Sequence, residues 1–212
     1  MSADSYLTIA AEAVDEFTEK RSRFIGAIRP VKTEEEAQAF IRERCKTYWD
    51  AKHNVYAYVL DGGNLCRFSD DGEPQGTAGI PVLDVLRKEG LTDCVVVVTR
   101  YFGGILLGGG GLVRAYSHGA KIAVDAAGVV EMRLSLIGEI TCDYSQYGYI
   151  PALLAEQGAT ITDTRFGEAV TVEFCLPKEG RGSLEAALTD RSAGRLCAVF
   201  TGEKRVAHPV KR

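Results

Sequence analysis

The stretch Thr99 to Ser117, TRYFGGILLGGGGLVRAYS, constrains this chain more than any other, because six of its nineteen residues are glycine. That is too many for a core element and too ordered for a linker. The run Cys94 to Val98 before it is β-branched apart from the cysteine, which suits a strand buried on both faces. After it, Leu112, Tyr116, Ala120 and Ala123 recur at helical spacing, predicting a helix over Leu112 to Ala127. The layout is strand, double glycine (Gly103, Gly104), apolar bridge, four glycines (Gly108, Gly109, Gly110, Gly111), helix. Glycine permits positive φ and close backbone approach, and a helix start presents unpaired N–H groups with partial positive charge. With Arg100 before the glycines and Arg114 just inside the helix, one reading is a surface that receives an anion. The other is that the glycines let a strand-to-helix corner pack tightly while the arginines pair with acids. Known phosphate motifs do not decide between them. No lysine ends the run as a Walker loop requires, and Val113 stands where a Rossmann fingerprint needs its last glycine.

The remaining polar candidates cluster upstream. Ser69 to Gly79, SDDGEPQGTAG, has turn chemistry throughout and gathers Asp70, Asp71 and Glu73. Three carboxylates could hold Mg²⁺, but their spacing misses the calcium-loop pattern, so pairing with Arg100 or Arg114 across the fold is the preferred reading. Gln75 and Thr77 could add polar contacts to a ligand beside the glycines. His53 opens the alternating strand Asn54 to Asp61, where a lone histidine is usually a hydrogen-bonding residue. Asp61 to Asn64 is a turn, and Leu65 to Phe68 completes a hairpin. Before it, Arg21 to Val31 reads as a strand, and Thr33 with Glu36 forms a capping box opening a helix whose apolar stripe is Ala37, Phe40, Ile41, Cys45 and Tyr48. A second helix spans Ile80 to Glu89.

Beyond Gly128 the pattern changes to strand (Val130 to Tyr144), helix (Ser145 to Gln157), strands (Ala159 to Arg165, Glu168 to Leu176), helix (Gly182 to Asp190) and strand (Arg195 to Thr201). This βαββαβ order is the ferredoxin-like layout. From Lys204 the sequence KRVAHPVKR reads as a mobile basic tail. The chain is therefore expected to be α+β with two domains, 1–129 and 130–203, followed by the tail 204–212.

Composition sets the outer limits. At 212 residues and a net charge of −4, any contact with nucleic acid must come from a local patch, since whole-molecule attraction is absent. The start Met-Ser-Ala-Asp-Ser lacks a signal-peptide pattern, and no apolar run reaches membrane-spanning length, so a cytoplasmic location with no membrane partner is expected. The six cysteines lack zinc or thioredoxin spacing. Most sit in apolar periodic segments, where a reduced cysteine behaves as a small hydrophobe, so a structural role is expected for all six, with a catalytic thiol as the alternative.

These residues resemble a known family. SDDGEPQGTAGIPVLDVL, followed by VVVVTRYFGGILLGGGGLVRAYS, is similar to the signature of the IMPACT family, bacterial YigZ-like branch, and Arg21 to Ile25 and Ala51 to Ala57 match as well. The resemblance implies an N-terminal domain of the ribosomal protein S5 domain 2-like class and a C-terminal domain similar to the fifth domain of elongation factor G. Eukaryotic members carry an additional RWD domain and restrain the amino-acid-starvation kinase by competing for its activator. This chain begins almost directly at the shared domain, so that competition is not expected here. Together these point to a translation- or stress-associated regulatory factor that binds RNA or a ribosomal surface without a cofactor. Arg100 and Arg114 would meet phosphates, and Tyr101, Phe102 and Tyr116 would stack on unpaired bases. Two alternatives stand beside it. One is an enzyme acting on a phosphorylated or carboxylated small molecule, with Asp70 or Asp71 as base or metal ligand. The other is a regulator that docks onto a protein partner.

Overall fold

The computed structural model describes residues 5–210, which divide into two compact units, Tyr6–Glu131 and Met132–His208. The elements in chain order are β1 (Ser5–Ile9), β2 (Ala13–Glu19), β3 (Ser22–Pro30), α1 (Glu34–Thr47), β4 (His53–Leu60), β5 (Leu65–Ser69), α2 (Gly79–Lys88), β6 (Cys94–Tyr101) and α3 (Gly109–Ala127), followed by β7 (Val129–Cys142), α4 (Tyr144–Tyr147), α5 (Ile150–Glu156), β8 (Thr160–Phe166), β9 (Val170–Pro177), α6 (Arg181–Ser192) and β10 (Ala198–Pro209). The α+β, two-domain expectation is met.

The N-terminal sheet has the order β2-β3-β6-β4-β5 and is antiparallel throughout. Its central strand β6 is buried on both faces because helices cover both sides. Val96 and Val98 enter a core with α2 and α3, while Val95 and Val97 enter a second core with Phe40 and Ile41 of α1. A strand sealed on both faces has no room for alternating polar residues, hence its four consecutive valines. Where α3 crosses the sheet, Gly26 and Gly119 allow close contact: a Cβ on Gly26 would lie 2.0 Å from the Gly119 carbonyl oxygen. The Thr33 cap forms as expected, its hydroxyl accepting from the Glu36 N–H at 3.2 Å, although the Glu36 carboxylate reaches the N–H of Lys32 instead of that of Thr33.

The C-terminal unit has the strand order β10-β7-β9-β8. With its helices between the first and second and the third and fourth strands, it is ferredoxin-like. Its core is separate: Ile140, Ile150, Leu154, Val172, Phe174, Leu184 and Leu188.

Four features depart from the sequence expectations. β1 and β2 were not foreseen; β1 is short, and β2 is an exposed, charged edge strand. The helix expected over Ser145 to Gln157 is two pieces. Pro151 lacks an N–H and would crowd the Tyr147 carbonyl, so one helix ends before another begins. β6 extends to Tyr101, which carries Arg100 into the sheet, and α3 starts at Gly109, three residues earlier than expected. Finally, residues 204–209 of the expected tail belong to β10, whose pairing with β7 orders them; Lys211 and Arg212, like the first four residues of the chain, lie outside the described residues. No helix among the described residues is long and apolar enough to cross a membrane.

Candidate functional site

The polar candidates of the N-terminal unit converge on Glu73. Its loop leaves β5 through a tight turn with Asp71 and Gly72 at positive φ, 42° and 81°, and this turn sends the Glu73 side chain inward. There the Glu73 Oε1 accepts from Arg100 Nη1 at 2.6 Å and from the Tyr116 hydroxyl at 2.7 Å. His53 Nε2 lies 3.8 Å from the same oxygen. Glu73, Arg100 and Tyr116 are all buried, and the Arg100 guanidinium sits between the rings of Phe24 and Phe102, 5.5 and 5.4 Å from their centres. Burial, then the hydrogen bond to Glu73, pushes the Tyr116 phenol far up, so it stays neutral as a donor.

The neighbouring carboxylates are committed to the backbone. Asp70 accepts from the N–H groups of Gly76, Ala78 and Gly79 at 2.8 to 3.1 Å, capping α2, whose own N-cap residue supplies no side-chain acceptor. Asp71 Oδ2 accepts from the Asn54 N–H at 2.6 Å, and its carbonyl oxygen holds His53 Nδ1 at 2.7 Å. A carbonyl only accepts, so His53 Nδ1 donates to it, and this contact turns the Nε2 edge of the ring toward Glu73. Thr99 closes the network by donating to the Asn54 side chain at 2.7 Å.

Beside this network opens a cleft of about 390 Å³, lined by Lys52, His53, Glu73, Arg100, Phe102, Leu106, Leu107, Gly108 and Gly109 among others. The α3 N-terminus forms one wall. Gly108, at φ 71°, is its N-cap and offers no capping side chain. Phe102 and Leu106 are exposed at the rim, and Lys52 is exposed with no carboxylate partner among the described residues.

The expected residues therefore separate. His53, Glu73, Arg100, Gly108 and Gly109 share the cleft. Arg114 faces a second cleft of about 280 Å³, together with Gly111. Tyr116, expected to stack on bases, is fully buried and is corrected to a core donor. Tyr101 donates to Asp50 at 2.7 Å at the sheet end. Gly103 serves packing, since a Cβ there would meet the Arg21 carbonyl at 2.0 Å, whereas Gly104 and Gly110 stand open. Thr77 donates to the Pro74 carbonyl, and Gln75 is exposed. The Arg100 pairing with the acidic loop is made by Glu73, not by Asp70 or Asp71. Among the described residues no group of three or more His, Cys, Asp or Glu side chains is placed to hold a metal ion. Sequence reasoning gave no role to Lys52, Leu106 or Leu107. The position of Lys52 immediately before His53 was the available signal.

This geometry and fold define a two-domain α+β protein. An "Impact N-terminal domain" model matches residues 20–124, and a "Domain of unknown function (DUF1949)" model matches residues 140–195. IMPACT family member YvyE of Bacillus subtilis is 38% identical over 90% of this chain and 88% of its own length, and IMPACT family member YigZ of Escherichia coli is 36% identical over 91% and 96%. A crystal structure of a hypothetical protein superposes with a TM-score of 0.60 at 34% identity, covering 95% of this chain and 99% of that one. The chain belongs to the IMPACT family, in its bacterial YigZ-like branch.

Proposed function

We propose that this IMPACT-family protein is a translation-associated regulatory factor that binds single-stranded RNA, free or on a ribosomal surface, through the Lys52 cleft. One observation carries the reading: the uncapped start of α3 opens into the same cleft as an unpaired lysine and the exposed ring of Phe102. The N–H groups of the first turn and Lys52 suit a phosphate, and Phe102 suits a base face. Arg100 is not the phosphate ligand in this reading, because Glu73 already neutralises it; it holds the wall of the cleft.

The enzyme alternative is less well supported, since Asp70 engages both carboxylate oxygens and Asp71 one of its two on backbone N–H groups. Protein docking has an observation of its own in Leu106 and Trp49, which are 83% and 81% exposed.

Co-sedimentation of the protein with ribosomes at low and high salt separates these readings. RNA binding predicts pelleting at low salt that is lost at high salt and weakened by Lys52→Ala. Pelleting that survives high salt and ignores Lys52→Ala points to protein docking, and no pelleting at low salt removes the ribosome from the proposal.

A further inference from the structure

Arg114 was expected beside Arg100, yet it faces the second cleft, across the start of α3. That cleft is lined by Lys20, Arg114 and His118, with Phe17, Glu19, Leu107, Gly111 and Ala115 completing it. Three cationic or ionisable nitrogen groups from two separate elements meet there. Arg114 and His118 stand one turn apart on α3, and Lys20 comes from the turn between β2 and β3. The His118 ring is held edge-on against Phe17, with centres 4.5 Å apart. Among the described residues neither Lys20 nor Arg114 has an ion-pair partner, so their charge is available to a ligand.

The turn itself is unusual. Glu19 pairs with Ser22, which leaves Lys20 and Arg21 as a two-residue hairpin loop with φ of 46° and 66°. Such a loop favours Asn and Gly, yet two cations occupy it. The Arg21 carbonyl packs against Gly103, at the place a side chain would fill, so the turn is docked on the glycine-rich segment.

Leu107 lines both clefts, with Gly108 and Gly109 on one side and Gly111 on the other. We infer that the Lys20–Arg114–His118 cleft is a second phosphate seat, and that the ligand is an RNA strand which crosses Leu107 and presents phosphates to both clefts. This rests on the RNA reading above and deepens it: the ligand class becomes an oligonucleotide, and a mononucleotide would fill only half the surface. Glu19 opposes the arrangement, since its carboxylate lines the same cleft as Lys20 and Arg114.

Fluorescence anisotropy with a short labelled oligouridylate, titrated against salt, and competition by uridine monophosphate test this. The oligomer is expected to bind more tightly than the monophosphate. The double variant Lys20→Ala with Arg114→Ala should flatten the salt dependence by about 1.4 in log–log slope, about 0.7 for each lost phosphate contact, and leave the monophosphate unaffected. Glu19→Gln should tighten oligomer binding, a gain that misfolding cannot imitate. If Lys52→Ala weakens the oligomer while the double variant and Glu19→Gln leave it unchanged, the second seat is overturned and the RNA reading stands. If the wild type binds neither probe, both fall. If a polyglutamate peptide displaces the oligomer at equal concentration, an acidic protein segment is the occupant and the RNA assignment is overturned.

Discussion

Glu73 shows how one side chain in a run of three similar ones takes a different role. Asp70, Asp71 and Glu73 look alike as loop acids, and nothing in their spacing says which points inward; the positive φ at Asp71 and Gly72 decides it. Glu73→Ala leaves the Arg100 guanidinium buried without its partner, with its Nε already unpaired. A stranded buried charge of this kind costs about 3–5 kcal/mol. Urea denaturation should register a loss of that order, and the Glu73→Ala, Arg100→Ala double variant should lose less than the sum of the two single variants. Independent additivity would mean that the pair is not coupled. Cys94 offers a pH test. Burial, with Asp93 nearby, pushes its thiol from 9.0 up to about 12. The folded state therefore holds this proton more tightly than the unfolded chain, and the associated stability is complete below pH 9 and lost as pH rises toward 12. Over that window Cys94→Ala should flatten the fall in stability by up to about 1.4 kcal/mol per pH unit. At pH 8, iodoacetamide should label exposed Cys197 first and Cys94 last, read by peptide mass spectrometry.

At the scale of the element, the glycines of the glycine-rich segment divide by what surrounds each of them. Gly103 serves packing and Gly108 serves a positive φ, while Gly109 and Gly110 border open space, with nothing nearer a Cβ than 3.8 Å. The sequence made the segment conspicuous without separating these roles, because a one-letter glycine carries no record of its neighbours. Substitution does separate them. Gly26→Ala forces a methyl into the Gly119 carbonyl and should cost about 3 kcal/mol by thermal or urea melting. Gly109→Ala meets only Thr77 Cγ2, at 4.0 Å, and removes backbone freedom from the unfolded chain, so stability should hold or rise by about 0.5 kcal/mol. If the first turn of α3 receives a phosphate, the same methyl crowds the approach and weakens oligouridylate binding. A Gly109→Ala protein that is as stable as wild type and binds RNA equally well would remove the helix start from the site.

For the whole molecule, the legible parts were those with strong periodicity. Alternation and 3.6-residue spacing gave the βαββαβ order of the C-terminal unit, because its core positions are nearly all Ile, Leu, Val and Phe. The strand β2 and the end of β10 were not legible: edge strands carry charge on their exposed positions, which erases the apolar pattern. The cleft was half legible. Its residues lie in distant segments that meet only through the register of β4 and β6, where His53 stands opposite Arg100. Each unit also has a core of its own: Ile140, Phe174, Leu184 and their neighbours form one, while Val96, Val98, Leu86 and Tyr116 belong to another. Units with cores of their own are expected to open independently. Phe174 is fully buried in the core of the C-terminal unit, so Phe174→Ala should cost that unit about 3–5 kcal/mol. Hydrogen exchange read by mass spectrometry should then accelerate across 132–208, while the amides of β6 keep their wild-type protection. Equal acceleration in β6 would mean that the two units unfold as one cooperative body, and that a ligand bound in the N-terminal cleft would stabilise the C-terminal unit as much as its own.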